Sequence, residues 1–328
     1  MCGCRTADPD PVETINITVG SLPLYHQQVD TFRSDLSGAA YIPAQGVVIL
    51  ADDGGKPSDV VPAYVADVRN DFAISEVSDA VNGAHGDLEG ATFDGTYVYV
   101  ISSLPGATEF AEDRFRAFSR YKFNAGVISE VETVSPRSVL MPAIETAFGS
   151  DFYSRIETLD SKVGGLNVEG LSATGNANEL MIGLRSPHFG ADFPQNTKSG
   201  EAIVLQANFT DFAPSSWQIQ AHTIDLGGHG VRSMEWSPTA QGYFILAGIV
   251  EAGFDYAFYF WPGPGSPTVR IELDEFLPLC RPEAVTEIDV DGVPTLWVMS
   301  EESGAICDDV AYNYLLIELN DAFMQTLQ

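Results

Sequence analysis

One short pattern recurs five times along this chain, and the recurrence constrains the fold more than any single residue does. In each copy a small or acidic residue opens a strand, a turn follows, and a strongly apolar strand runs into polar residues. The first copy is Asp35-Leu36-Ser37-Gly38-Ala39-Ala40-Tyr41-Ile42, then 47–50, ending in Asp52-Asp53. The second is Asp87-Leu88-Glu89-Gly90-Ala91-Thr92-Phe93, then 97–101, ending in Ser102-Ser103. The third is Asn167-Val168-Glu169-Gly170-Leu171-Ser172, then 180–184, ending in Arg185-Ser186-Pro187-His188. The fourth is Val231-Arg232-Ser233-Met234-Glu235-Trp236, then 243–246, and the fifth Arg281-Pro282-Glu283-Ala284-Val285-Thr286, then 295–299, ending in Ser300-Glu301-Glu302.

One or two further runs with the alternation and β-branched or aromatic content of strands follow each pair, for example 63–68, 117–123, 201–209 and 257–261. The unit is therefore a four-stranded meander, and the expected fold is an all-β, single β-propeller of five blades, with six as the alternative. The third copy starts late, which predicts an insertion near 136–162 carrying a short helix at 143–148. The fifth unit lacks an outer strand, and the run at 14–19 is expected to supply it and close the ring, removing an exposed sheet edge. The division expected is a flexible segment at 1–12 and one propeller domain over 13–328.

In such a fold the start of each innermost strand and the loop after the second strand share one channel mouth. That places Ser37, Glu89, Glu169, Ser233 and Glu283 on a common ring, with Arg185, Arg232, Arg281, His85, His188 and His229 beside it. Carboxylates this close cannot all stay ionised and bare. Three remedies are open: bound cations, neighbouring arginines or raised pKa values. Ca²⁺ would suit oxygen ligands from Glu89, Glu169, Glu283 and Asp35. Arg185, Arg232, Arg281, His85 and His188 would meet a ligand. A salt-bridge ring that only fixes the blades is the competing reading. The serines make the ring uneven, so a site is expected off-centre, toward the second and third units.

The charge balance is lopsided, 46 acidic against 16 basic residues and net −30. Nucleic acid is excluded as a partner, because backbone binding needs Lys and Arg to displace counterions. No apolar run reaches the roughly 20 residues of a membrane span. A monomer is expected, with a small anionic ligand or a protein as partner. Cys280 and Cys307 flank the first two strands of the fifth unit, whose meander returns both to one face. A disulfide between them is geometrically sound and would fit an oxidising compartment. The opening Met1-Cys2-Gly3-Cys4 and the polar segment after it resemble the start of a mature bacterial lipoprotein. That implies a periplasmic or cell-surface protein lipid-anchored through Cys2; a cytoplasmic protein with an irregular terminus is the alternative.

The stretch Asn167-Val168-Glu169-Gly170-Leu171 followed by Leu180-Met181-Ile182-Gly183-Leu184-Arg185-Ser186-Pro187 resembles the signature of the bacterial DUF3616 family. Asp35-Leu36-Ser37-Gly38, Asp87-Leu88-Glu89-Gly90 and Gly228-His229-Gly230-Val231-Arg232 fit the same pattern. That family has no established activity. Its repeats are similar to those of the "esterase-like activity of phytase" family, whose propellers hold Ca²⁺ in an acidic mouth. The resemblance implies that Glu89, Glu169 and Glu283 hold metal and that Arg185 and Arg232 bind an anionic group, as in a Ca²⁺-dependent phosphoesterase or esterase. Ser37 and Ser233 depart from that pattern, and only Lys56, Lys122, Lys162 and Lys198 are available as lysines, a poor supply for a highly phosphorylated substrate. No Gly-x-Ser-x-Gly elbow, His-Glu-x-x-His pair or phosphate-binding loop occurs. No nucleophile–base pair can be named, so a binding role for a small ligand, cation or partner protein leads over catalysis. Asp289-Val290-Asp291-Gly292 reads as a hairpin turn rather than part of a calcium loop.

Overall fold

The computed structural model describes residues 14–22, 36–52, 63–77, 85–106, 113–190, 200–250, 255–300 and 313–328. After the strand β1 (Ile17–Gly20), the chain folds four-stranded antiparallel sheets in sequence. The first blade is β2 (Leu36–Ile42), β3 (Val47–Asp52), β4 (Ala63–Asp67) and β5 (Ala73–Val77). The second is β6 (Leu88–Phe93), β7 (Val98–Ser102), β8 (Phe118–Asn124) and β9 (Val127–Val134). Helices α1 (Arg137–Phe148) and α2 (Ser150–Thr158) then precede the third blade, β10 (Asn167–Ala173), β11 (Glu179–Ser186), β12 (Ala202–Asn208) and β13 (Gln218–Ile224). The fourth is β14 (Gly230–Ser237), β15 (Gly242–Gly248), β16 (Tyr256–Trp261) and β17 (Val269–Ile271). The fifth contributes β18 (Pro282–Val290), β19 (Val293–Ser300) and β20 (Tyr314–Glu318) before a short terminal helix α3 (Asp321–Gln325).

Each blade is a meander whose first strand lies innermost. The inner strands β2, β6, β10, β14 and β18 contact one another in ring order, and β18 returns to β2. The fold is thus a five-bladed β-propeller. Its closure is the one expected: β1 pairs antiparallel with β20 and completes the fifth sheet, with Ile17 opposite Ile317 and Gly20 opposite Tyr314. Two-sided burial explains the near-continuous apolar character of the inner two strands, and the five hydrophobic clusters fall at the five blade-to-blade contacts. Leu50 and Val100, for example, are 0% and 2% exposed, and burying such a side chain fully contributes roughly 1.5–3 kcal/mol.

The insertion is larger than a single turn of helix. Leu140, Met141 and Ile144 of α1 and Phe152 and Ile156 of α2 form apolar stripes at helical spacing, and both dock on the contact between blades two and three. Arg137 anchors the start of α1 to the second blade through the carbonyls of Leu104 (2.8 Å) and Pro105 (2.6 Å), and pairs with Glu157 of α2 at 2.5 Å. The Asp289–Gly292 stretch forms the expected turn between β18 and β19, with Asp291 and Gly292 both at positive φ (53° and 87°). Among the described residues no helix is long and apolar enough to cross a membrane.

Candidate functional site

The site is built by a defect repeated in every innermost strand. The pairing of each inner strand with its neighbour skips one residue near its start, leaving that residue as a β-bulge. The skipped residues are Ser37, Glu89, Glu169, Arg232 and Glu283. A bulged residue is unpaired in the ladder and its side chain is re-aimed, which is how a strand turns one chosen group out of its own pleat. The fourth member corrects the register read from sequence. Ser233 was expected on the ring, but it pairs with Leu246 and the bulge falls on Arg232. Ser233 instead occupies the position of the glycines in the first three blades, and its hydroxyl accepts the N–H of Val285 from the next blade (3.3 Å).

Those glycines are required by close approach. A Cβ on Gly90 would lie 2.7 Å from the Cβ of Leu171, and one on Gly170 would lie 2.6 Å from Cγ1 of Val231. Inner strands this tight bring the bulged side chains of successive blades together.

Arg232 sits between two carboxylates of the neighbouring blades. Its Nη1 donates to Oε1 of Glu283 and stands 3.5 Å from Oε2 of Glu169. All three are buried, at 7%, 5% and 3% exposure. Burial would by itself drive the Arg232 guanidinium toward its neutral form; the facing Glu283 and Glu169 carboxylates overcome that and hold it above the usual arginine range. Its guanidinium also lies over the ring of Tyr256, 5.4 Å from the centroid. Arg185 completes the lattice from the end of β11. Its Nη1 donates to Oε1 of Glu169 at 2.7 Å, and its Nη2 and Nε donate to the carbonyls of Val250 (2.9 Å) and Ile249 (3.4 Å).

Asn167, one turn of the pleat before Glu169, donates its Nδ2 to the same Oε1 at 2.9 Å. This leaves Oδ1 of Asn167 buried without a hydrogen bond, and Oε2 of Glu169 with only the Arg232 ion pair at 3.5 Å. Asp87, just before the second inner strand, lies close enough to Glu169 to feel its charge. Burial, chiefly, and the Glu169 charge raise its carboxyl pKa, against a hydrogen bond from the Ser103 hydroxyl that lowers it.

The structure distributes the other expected residues unevenly. Glu89 is buried at 9% exposure on its bulge. Arg281 is half-buried at the start of the fifth blade, its backbone N–H on the Ser300 hydroxyl (2.8 Å) and its charge felt by Tyr256. His188 is buried at 5% exposure after β11. His85 does not belong to the mouth as a ligand group. Its Nδ1 and Nε2 are each 2.8 Å from a serine hydroxyl, Ser102 and Ser119, and burial pushes its pKa down to about 3. His85 is a neutral core histidine that ties the second and third strands of its blade. His229 is held by the Leu226 carbonyl and Asp255 at 2.8 and 3.1 Å. Cys280 is disulfide-bonded. Asp35 and Cys307, expected as a metal ligand and as the partner of Cys280, lie outside the described residues, as does Cys2. Among the described residues no three His, Cys, Asp or Glu side chains converge to hold a metal ion. Asn167, Asp87 and Tyr256 were not singled out from sequence. Asn167 stands within the most specific repeat motif, and that was the available signal.

The family described as a protein of unknown function (DUF3616) matches residues 144–252, which span most of the insertion, blade three and the first two strands of blade four. No curated protein matches the sequence. Among solved structures, the chain is similar to the Malassezia sympodialis allergen Mala s 1, with 8% identity over 89% of this chain and 95% of that one and a TM-score of 0.46. A chain of the nidogen/laminin complex is similar at 10% identity over 88% of each, TM-score 0.43. The β-propeller domain of Myceliophteria thermophila Cps50 (Swd1) is similar at 10% identity over 86% of this chain and 82% of that one, TM-score 0.38.

Proposed function

We propose that the protein is an extracytoplasmic binding propeller whose ring takes a small ligand through a hydrogen-bond donor or cationic group, in the sector between blades two and three. The observation that carries this reading is the pair of buried acceptors without a hydrogen bond, Oδ1 of Asn167 and Oε2 of Glu169, the latter reached only by the Arg232 charge at 3.5 Å. A buried acceptor left unmet costs about 1–3 kcal/mol, so such atoms persist where something else meets them. Asp87 adds a third acceptor group beside them. An anionic ligand is less well served, because Arg185 and Arg232 turn donors to Glu169, Glu283 and backbone carbonyls. The disulfide at Cys280 supports the oxidising compartment.

Calcium does not fit the described donor set. Glu283 is spent on Arg232 and Glu169 is shared between two arginines, whereas Ca²⁺ asks for six to eight oxygens free to face it. No hydrolytic step is drawn through such an ion. A high-resolution electron-density map of the mouth tests the reading. Non-protein density within about 2.7–3.2 Å of both acceptors supports it. A mouth in which only ordered water reaches them overturns it. A spherical peak ringed by six to eight oxygens at about 2.3–2.6 Å would identify the cation as Ca²⁺ and reopen the phytase-like alternative.

A further inference from the structure

The opposite end of the channel, where the inner strands finish, holds a second concavity that the ring does not use. It encloses about 360 Å³ and is walled by all five blades, within the size range of small-molecule sites. Four carboxylates face this space: Asp94 from blade two, Glu235 from blade four, and Glu287 and Asp289 from blade five. Tyr41, Phe93 and Trp236 supply aromatic surface from three different blades. Among the described residues no Lys, Arg or His lines it.

We infer that this cavity is a binding site for an organic cation, an alkylammonium head group held between the aromatic rings and the Glu235 and Glu287 carboxyls. The contrast between the two mouths carries the argument. At the ring, Glu169 and Glu283 are matched by arginine guanidinia. At the far mouth the acids have only neutral donors. Thr286 Oγ1 donates to Glu235 at 3.0 Å. The Ser237 hydroxyl and Thr239 Oγ1 donate to Glu287, the latter at 2.6 Å. Asp94 takes the backbone N–H groups of Thr96 and Tyr97 at 2.7 Å each and the Tyr99 hydroxyl at 2.8 Å, and Asp289 takes the Gly292 N–H at 2.7 Å. A concave space with negative charge, aromatic faces and no internal counter-ion is complementary to a cation with apolar bulk. A hard metal ion is not the match, because no three acidic groups converge among the described residues. Burial drives the Glu235 carboxyl up to about 8, with Glu287 adding to the shift, and an ammonium seated beside it would favour its ionised form.

Isothermal titration of the whole chain at pH 9, where the Glu235 carboxyl is ionised, with choline, with putrescine and with 3,3-dimethylbutan-1-ol, the neutral isostere of choline, tests the inference. At least one amine is expected to bind and to be preferred at least tenfold over the neutral alcohol. Glu235→Gln keeps the volume and an acceptor for Thr286, and should weaken the amine at least tenfold. Glu287→Gln, nearer the rim, should weaken it less, and serves as the second reading if the first variant misfolds by circular dichroism. No amine binding at millimolar concentration, equal affinity for the alcohol, or unchanged amine affinity in every folded Glu variant would each overturn it. An amine that bound the ring at the other mouth instead would keep its affinity in both Glu variants, so the variants separate this site from the ring.

Discussion

Arg232 is the residue on which the ring depends, because one guanidinium serves carboxylates from the blades on either side of it. Arg232→Met keeps much of the stem and removes the charge, leaving Glu169 and Glu283 facing each other in a buried space. Breaking a buried pair from one side costs about 3–5 kcal/mol, and that loss is expected in urea unfolding at pH 7. Without the guanidinium, protonating the buried Glu283 carboxyl relieves its unpaired charge, so the folded variant takes up a proton that the unfolded chain has released. The deficit should therefore shrink as pH falls toward 4. A deficit below about 1 kcal/mol, or one that grows on acidification, would show that the pair contributes little. Glu235 gives the same sign in the wild-type chain. Its carboxyl stays protonated until about pH 8 when folded, against an ordinary 4.5 when unfolded. Its contribution to stability is full below 4.5 and falls as pH rises through 8, at no more than about 1.4 kcal/mol per pH unit. Glu235→Gln should flatten that slope when urea unfolding free energies are compared from pH 5 to 8.5. Parallel wild-type and variant curves would contradict the raised pKa.

At the scale of elements, the recurring bulge shows what a sequence pattern conveys and where it stops. The strand, turn and polar end of each copy were legible because strand alternation and turn residues act locally. The register of the fourth copy was not. Val231-Arg232-Ser233-Met234 offers two polar positions in a row, and only pairing with Gly248, Ala247 and Leu246 decides which residue is skipped. His85 failed for a related reason: a histidine beside a motif looks available until Ser102 and Ser119, from two different strands, take both nitrogens. The far-mouth cavity was invisible for the same reason, since its walls come from strand ends scattered from Tyr41 to Pro294. The glycine after the bulge in the first three blades answers to the close approach of the inner strands, and that can be tested. Gly90→Ala would set a Cβ 2.7 Å from the Leu171 Cβ and 3.0 Å from the Glu169 carbonyl. Overpacking of this kind costs about 1–3 kcal/mol, expected as a lower urea midpoint at unchanged m-value. An unchanged midpoint would mean that the inner strands can part without cost.

At the scale of the molecule, one four-residue strand decides whether the ring is a closed object. β1 covers β20 through its ladder, and the flanks add specific bonds: Leu22 N–H to Asn313 Oδ1 at 2.8 Å, Asn16 Nδ2 to Glu318 at 2.7 Å, and Asn320 Nδ2 to the Thr14 carbonyl at 2.9 Å. A Cβ at position 20 would fall 2.1 Å from the end of the Tyr314 ring, so any other residue there would displace that ring. A chain lacking residues 1–20 keeps every strand that makes the five inner contacts, so it should still form blades. It would, however, expose the β20 edge, Tyr314–Glu318, as a template for another chain. The net charge of −30 opposes that association by mutual repulsion, so the two forces can be separated by salt. At about 0.01 M salt the Debye length is about 30 Å and the truncated chain should stay monomeric with a lowered melting temperature. At about 1 M salt it falls to about 3 Å, and oligomers should appear in size-exclusion chromatography with light scattering, while the full chain stays monomeric. Equal melting temperatures at low salt and a truncated monomer at high salt would mean that β1 is an ornament on a ring already closed by its inner strands.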